Sequence, residues 1–257
     1  MGQMITFGDA NSADGTSVGE FDGYRAEPIG ELRGALIVIH EIWGLVDHIK
    51  DVADRFAAEG YLVVAPDILS HGGVTPEVGT EINRLMFHSS EEERAKAQPI
   101  MREKMAPVRS PEYGAWAVSA LRKVVDYLEL QPGVDGRLGV LGFCFGGTYS
   151  FALAAADPRI RSAVPFYGQP PETSDLAHLD CPVLAFYGAN DENLMKSLPE
   201  VTERMKDAGV QFDFHVYPDA GHAFFNDTNS VMYRADAAAD SWTRTIEFLR
   251  GTVAPTS

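Results

Sequence analysis

Short apolar runs alternate with segments of helical periodicity through most of the chain. Residues 35–39 (Ala-Leu-Ile-Val-Ile) and 61–65 (Tyr-Leu-Val-Val-Ala) are continuous apolar runs, which is typical of strands covered on both faces in a parallel sheet. Between them, Ile49, Val52 and Phe56 recur at the spacing of one helix face. A strand, a helix and a strand in that order predict a parallel sheet wrapped by helices.

The same alternation continues to the end of the chain. Further strands and helices are predicted at 138–141, 162–168, 183–188 and 212–217, and near 113–130 and 238–249. Residues 4–7 and 21–26 are expected to pair as a hairpin at the sheet edge. Because no linker or low-complexity segment interrupts the interior, we expect a single α/β domain over residues 1–257. Its sheet should be mostly parallel and twisted, with helices on both faces.

The strand pattern disappears between residues 71 and 111, which predicts a helical excursion above the sheet. This segment carries Met86, Met101 and Met105. Methionine side chains adapt to irregular surroundings, so they would suit the pocket of a mobile cap over a site. A pair of surface helices with ordinary packing methionines explains the same pattern, and both alternatives stay open.

Composition narrows the class of protein. The 257 residues carry a formal net charge of -16, which argues against nucleic acid as a partner, because phosphates select basic proteins. Two cysteines make no disulfide framework, and no paired cysteine and histidine spacing indicates a metal site. The N-terminal residues lack a signal-peptide pattern and no stretch is long enough to span a membrane. We therefore expect a cytoplasmic monomer or small homo-oligomer that needs no metal or cofactor.

The segment Gly142-Phe143-Cys144-Phe145-Gly146-Gly147 has the form of a nucleophile elbow. A short apolar strand precedes it and a predicted helix follows, as the motif requires. Glycines on both sides of the cysteine relieve crowding at the tight turn, and the helix N-terminus favours the thiolate of Cys144. The other cysteine, Cys181, stands at a strand entry beside Pro182 and is expected to be buried and inert.

Two further residues stand where parallel strands end, which is where α/β sheets bind ligands. Asp191 follows the 183–188 strand and His222 follows the 212–217 strand. The chain order of nucleophile, acid and base predicts a triad of Cys144, Asp191 and His222. His222 would move the proton and Asp191 would orient its imidazole. We expect the backbone amides of Ile42 and Phe145 to form the oxyanion hole. His215, which shares a strand face with Asp213 and Tyr217, is expected to be structural.

Four segments together resemble the dienelactone hydrolase family of α/β hydrolases, also called carboxymethylenebutenolidase-like. They are His40-Glu41-Ile42-Trp43-Gly44, the 142–147 elbow, Gly188-Ala189-Asn190-Asp191 and Gly221-His222-Ala223-Phe224. The resemblance spans residues 35–249 and implies the α/β-hydrolase fold with the same triad and oxyanion donors. It also implies that Glu41 contacts the resting thiol and gates it, although a helix-capping role for Glu41 is the alternative.

The resemblance further implies an arginine four residues after the catalytic histidine, where the family binds a substrate carboxylate. Here that position is Asn226. Candidate substrate-binding residues are therefore Asn226 itself, Trp43 and Arg94, with Arg102 and Arg109 as other arginines of the excursion. The prediction is a cysteine-dependent hydrolase of small esters or lactones that forms an acyl-cysteine. A general carboxylesterase or thioesterase, and a binding protein that retains the fold, are the alternatives.

Overall fold

The structure is a computed structural model that describes residues 2–8, 17–170, 176 and 178–253. Its strands are β1 (Gln3–Phe7), β2 (Phe21–Ala26), β3 (Gly34–Ile39), β4 (Tyr61–Pro66), β5 (Leu138–Phe143), β6 (Ile160–Phe166), β7 (Val183–Gly188) and β8 (Phe212–Tyr217). The α-helices of the described residues are α1 (Asp47–Ala58), α2 (Pro76–Met86), α3 (Glu91–Met105), α4 (Pro111–Glu129), α5 (Phe145–Ala156), α6 (Glu192–Asp207) and α7 (Ala235–Thr252).

All these strands belong to one sheet, in the order β1-β2-β4-β3-β5-β6-β7-β8. Strand β2 pairs antiparallel with β1 and β4, and every other neighbouring pair is parallel. The predicted edge hairpin is confirmed, with Gln3 opposite Arg25 and Phe7 opposite Phe21. The mostly parallel sheet predicted from the apolar runs is confirmed as well.

Successive side chains of the central strand β3 point to opposite faces, and each face is covered by helices. Ile37 and Ile39 pack in the core cluster that holds the apolar side of α4. Leu36 and Val38 pack in the second cluster, with the apolar sides of α1 and α7. Every residue of β3 is buried, which explains why its sequence is a continuous apolar run rather than an alternating one.

The predicted excursion is helical and lies between β4 and α4. It contains α2, α3 and the short 3-10 helices Ser70–Gly72 and Pro107–Arg109. Helix α3 is held weakly, because its only buried side chains are those of Ala97 and Met105. Met105 and the partly buried Met101 pack against the core cluster under α4. The mobile cap and the pair of surface helices both remain predictions.

Candidate active site

The turn between β5 and α5 presents Cys144 at the carboxyl end of the sheet. Its backbone lies at φ 55° and ψ -112°, a strained conformation for a residue with a side chain, which costs on the order of 1–3 kcal/mol. Packing enforces this turn. A Cβ on Gly142 would lie 2.2 Å from the carbonyl oxygen of Gly146, and a Cβ on Gly146 would lie 2.2 Å from that of Ile39. Only glycine fits at these two positions.

The loops after β7 and β8 bring an acid and a base together. The amide of Asn190 donates to the carbonyl of Ala220 over 2.9 Å, which ties the two loops to each other. His222 Nδ1 lies 2.5 Å from Asp191 Oδ2, and the same carboxylate accepts from the amide of Leu194 at the start of α6. Asp191 is therefore held from two sides, and it in turn orients the imidazole.

His222 also hydrogen-bonds Cys144, so the three residues of the predicted triad form one connected chain. Burial disfavours the imidazolium, but its hydrogen bonds with Asp191 and Cys144 outweigh that effect and raise the pKa of His222 to about 10. Burial likewise opposes ionisation of Asp191, yet the hydrogen bond and charge of His222 bring its pKa below the ordinary value. The site thus favours an imidazolium between a carboxylate and the sulfur at neutral pH.

The two predicted oxyanion donors have free amides in the described part of the chain, where no hydrogen-bond acceptor is assigned to the N–H of Ile42 or Phe145. Phe145 is the first residue of α5, and the first amides of a helix have no partner within it. Both amides are therefore free to donate to a developing oxyanion, and their role as the oxyanion hole stays a prediction.

His40 fixes the peptide that carries the Ile42 amide. Its Nε2 accepts from the amide of Ile68 over 3.2 Å, so its Nδ1 carries the proton and donates to the carbonyl oxygen of Glu41 over 2.8 Å. Because the carbonyl and the next amide of a trans peptide point in opposite directions, this bond sets the direction of the Ile42 N–H. Complete burial lowers the pKa of His40 below its ordinary value despite nearby Asp67, which keeps the ring neutral.

His40 also reaches the other oxyanion donor. Its ring stacks on the ring of Phe145 with centroids 5.9 Å apart, and its carbonyl accepts from the amide of Gly146. The sequence analysis gave His40 no role of its own and missed this positioning role. The available signal was its place two residues before the predicted oxyanion residue Ile42, directly after a buried strand.

Glu41 is buried behind the triad, with 2 % of its surface exposed. Tyr167 donates its hydroxyl to Oε1 over 3.2 Å, and Asn226 donates its side-chain amide to Oε2 over 2.6 Å. Burial raises the pKa of Glu41, against the nearby charge of His48 and the hydrogen bond from Asn226. The hydrogen bonds assigned to Glu41 in the described residues are those from Tyr167 and Asn226, so the thiol contact implied by the resemblance stays a prediction.

Tyr167 is a residue that the sequence analysis missed. It follows β6 with a positive φ of 40°, and burial together with the charges of Glu41 and Cys144 raises its pKa well above the ordinary value. Its phenol therefore stays protonated and can donate to the Glu41 carboxylate. The signal was the Phe-Tyr-Gly ending of the strand, which places a polar side chain at the catalytic edge of the sheet.

Comparison with known proteins identifies the family of this chain. The model of the dienelactone hydrolase family matches residues 21–253. The chain belongs to the dienelactone hydrolase family. Its α/β-hydrolase fold, predicted from the resemblance, is thereby confirmed, and the chain is a dienelactone hydrolase-like hydrolase. Family membership alone does not identify the nucleophile or the substrate.

Two curated relatives, each named "Putative carboxymethylenebutenolidase", show the extent of the similarity. The protein of Methylorubrum extorquens is 33% identical over 245 residues, covering 90% of this chain and 77% of its own. The protein of Saccharolobus solfataricus is 32% identical over 237 residues, covering 84% and 88%. The solved structure of "Putative Dienelactone Hydrolase" from Klebsiella pneumoniae subsp. pneumoniae superposes with a TM-score of 0.75 at 26% identity, over 96% of this chain and 98% of that one.

In this dienelactone hydrolase-like chain, Trp43 and Asn226 line one pocket, which Arg94 does not line and whose lining includes none of Cys144, Asp191 and His222. The pocket has a volume of about 210 Å³ and is completed by Val46, Asp47, His48, Thr80, Asn83 and Thr228. Arg94 is exposed on α3 and donates to the carbonyls of His88 and Ser89. Arg102 and Arg109 are also exposed. The pocket lining therefore contains no arginine or lysine, and its acidic residue is Asp47.

The described residues hold neither a candidate metal site nor a membrane-spanning helix. No group of three or more His, Cys, Asp or Glu side chains in residues 2–8, 17–170, 176 and 178–253 could hold a metal ion. No helix in that part of the chain is long and apolar enough to cross a membrane.

Proposed function

We propose that this dienelactone hydrolase family member hydrolyses small neutral esters or lactones through an acyl-cysteine intermediate on Cys144. The observation that carries the proposal is the connected chain from Asp191 through His222 to Cys144. An acid, a base and a thiol in that order are the parts needed for nucleophilic acyl transfer. Their retention in one chain disfavours a binding protein that merely keeps the fold.

The first half of the reaction forms the acyl-enzyme. His222 holds the proton of the Cys144 thiol, and the sulfur attacks the carbonyl carbon of the substrate. The carbonyl π electrons move to oxygen, and the amides of Ile42 and Phe145 stabilise that oxyanion. When the carbonyl re-forms, the C–O bond to the leaving group breaks and His222 gives its proton to the alkoxide. For a lactone the released alcohol stays attached to the acyl group.

The second half releases the acid. A water molecule attacks the acyl carbon and gives one proton to His222, and the same two amides stabilise the second oxyanion. Collapse breaks the C–S bond and returns the sulfur of Cys144 to its starting state. The product is a carboxylic acid, and the enzyme keeps the proton on His222. Asp191 holds the imidazole in one orientation throughout.

Substitution of the nucleophile tests the mechanism. Cys144→Ala should lower kcat/KM for a neutral aryl ester by roughly 10³-fold or more, since loss of a triad nucleophile has an effect of that order in other hydrolases. Cys181→Ala is the matched control, because this buried thiol is remote from the triad, and it should keep wild-type turnover. Full turnover by a folded Cys144→Ala variant would refute the acyl-cysteine mechanism.

The pocket that holds Trp43 and Asn226 supports the neutral substrate class. The lining offers no arginine or lysine to pair with a substrate carboxylate, and its acidic residue, Asp47, is solvent-exposed and lies 3.3 Å from Lys50 Nζ. We expect a neutral aryl ester to exceed its carboxylated analogue in kcat/KM by at least tenfold, and Asn83→Lys to narrow that ratio. Equal rates for both esters, unchanged by Asn83→Lys, would reject this substrate class. A matched acyl thioester in the same assay distinguishes the thioesterase alternative.

A further inference from the structure

We propose that two copies of this chain form a two-fold symmetric dimer through their β8 edges. Strand β8 is the last strand of the sheet, and β7 is its only neighbour among the described strands. An edge strand exposes a row of backbone groups that can pair with another chain. Natural edges are commonly protected by charged side chains, proline or a bulge; β8 reads Phe-Asp-Phe-His-Val-Tyr, with one charged residue, Asp213, and no lysine or proline.

The hydrogen bonds to β7 show which backbone groups of β8 face outward. The amide of Val183 donates to the carbonyl of Gln211, and the amide of Ala189 donates to that of Tyr217. The odd-numbered residues therefore direct their amide and carbonyl groups toward β7. By alternation, Phe212, Phe214 and Val216 direct theirs away from the sheet, and no backbone partner on that side is assigned in the described part of the chain.

Two constraints select the antiparallel register. The outward backbone groups must meet each other, and residues directly opposite one another must lie on the same face of the sheet. Both are satisfied when Phe214 lies on the two-fold axis opposite the partner's Phe214. Phe212 then lies opposite the partner's Val216, and Asp213 lies opposite the partner's His215. Each of the three backbone-bonded pairs exchanges two hydrogen bonds.

Hydrogen bonding favours this register over the neighbouring one. With Phe214 on the axis, the Asp213 carboxylate meets the neutral His215 ring, which can donate to it, once on each side of the axis. With His215 on the axis, that histidine would meet its own copy, and Asp213 would meet the partner's Tyr217, whose hydroxyl already donates to Asp240. The Phe214 register also places Phe212 against a β-branched side chain.

The ring of His215 has a free N–H group that can donate to the partner's Asp213. Its Nε2 lies 3.2 Å from Arg244 Nη1, and because arginine has only donors, Nε2 accepts and Nδ1 carries the proton. Asp213 is exposed and has no ion-pair partner in the described residues. The dimer would pair the free donor of one copy with the free carboxylate of the other.

The partner is a second copy because the edge is self-complementary. When β8 of one copy pairs with β8 of another, both β8 edges are covered and the assembly closes at two chains. Pairing of β8 with β1 would instead leave a free edge at each end and continue into a filament. The active sites stay open, since they lie at the carboxyl ends of the strands and the contact runs along the strand. This proposal does not depend on the reaction catalysed.

Cysteine crosslinking tests the register. In a background of Cys144→Ala and Cys181→Ala, Phe214→Cys should form a disulfide-linked dimer on mild oxidation, because backbone-bonded partners have Cα atoms about 5.5 Å apart. His215→Cys is the matched control, since its own copy lies opposite only in the other register. Efficient crosslinking of Phe214→Cys alone supports the proposal. Crosslinking of His215→Cys alone, or of neither variant, overturns it.

Sedimentation velocity of the full chain tests the pairing of Asp213 with the partner's His215. We expect the wild-type protein to be a dimer. His215→Glu should associate at least tenfold more weakly, because it opposes Asp213 with a like charge. The Asp213→Lys/His215→Glu double variant should recover a dimer affinity within about threefold of the wild-type value. Met4→Glu, on the exposed opposite edge, should leave the dimer intact. A wild-type monomer at every concentration, open-ended assembly, or a dimer insensitive to His215→Glu would each refute the β8 contact.

Discussion

The side-chain amide of Asn226 donates a 2.6 Å hydrogen bond to the buried carboxylate of Glu41. Tyr167 donates to the other carboxylate oxygen, so the described contacts of Glu41 hold it among neutral donors. Neutral donors stabilise a buried carboxylate only in part, because burial still raises its pKa above the ordinary value of 4.5. The protein therefore carries an energetic cost at Glu41 whenever this side chain is ionised.

Glu41→Gln should make the protein more stable at neutral and alkaline pH, and by an amount that depends on pH. Below about pH 4.5 the carboxyl is protonated in both folded and unfolded chains, and the two proteins should unfold alike. As the pH rises through the folded pKa of Glu41, the wild-type protein loses stability that the variant keeps. Urea unfolding across that range measures the difference, and a difference that does not change with pH would contradict the assigned burial cost.

Asp191→Asn should remove stability in a defined pH window. The lowered pKa of Asp191 contributes stability above about pH 3.8 that is lost as the pH falls through the folded pKa. The raised pKa of His222 contributes stability below about pH 6.5 that is lost as the pH rises toward 10. The melting temperatures of the wild-type and Asp191→Asn proteins should therefore differ most between about pH 3.8 and pH 6.5, where both contributions are present. Equal pH dependence in both proteins would show that the pair is not coupled.

Alkylation by iodoacetamide should distinguish the two thiols. Cys144 is partly accessible beside an imidazolium, whereas burial raises the pKa of Cys181 to about 12. We expect one equivalent of label at Cys144 near neutral pH and labelling of both thiols after denaturation. Peptide mass spectrometry locates the label. Equal slow labelling of both cysteines in the folded chain would argue against an activated nucleophile.

Glycine-to-alanine substitutions should destabilise the protein at the nucleophile elbow and not in an open position of a helix. Gly142→Ala and Gly146→Ala each place a Cβ 2.2 Å from a backbone oxygen, and we expect a loss of about 1–3 kcal/mol or more in unfolding free energy, with loss of turnover. Gly251→Ala is the control, because a Cβ there meets nothing within 4 Å in helix α7. That variant should gain up to about 1 kcal/mol, as urea unfolding would show.

The sheet, and the placement of Asp191 and His222 at its carboxyl edge, could be predicted because apolar runs locate the strands and therefore the strand ends. Buried strands read as apolar runs, and the carboxyl ends of parallel strands must meet at one edge, so Asp191 and His222 could be placed before any coordinates. The family model and the superposition confirm the family and the fold. The assigned catalytic roles remain predictions.

The polar contacts behind the triad could not be predicted, because they join residues far apart in sequence. Asn226 meets Glu41 across 185 positions, and Tyr167 meets the same carboxylate across 126. Hydrophobic periodicity carries no information about contacts between such distant residues.

Arg94 was predicted as a substrate-binding residue because it lies in the helical excursion. Its side chain is exposed on α3 and does not line the pocket.

The weak attachment of α3 has a consequence for laboratory evolution. Its buried side chains are those of Ala97 and Met105 alone, while Cys144, Asp191 and His222 are carried by turns and loops at strand ends. Randomising the exposed positions of α3 should therefore leave most variants folded, with the geometry of those three residues unchanged. This helix is a suitable segment for a large mutant library.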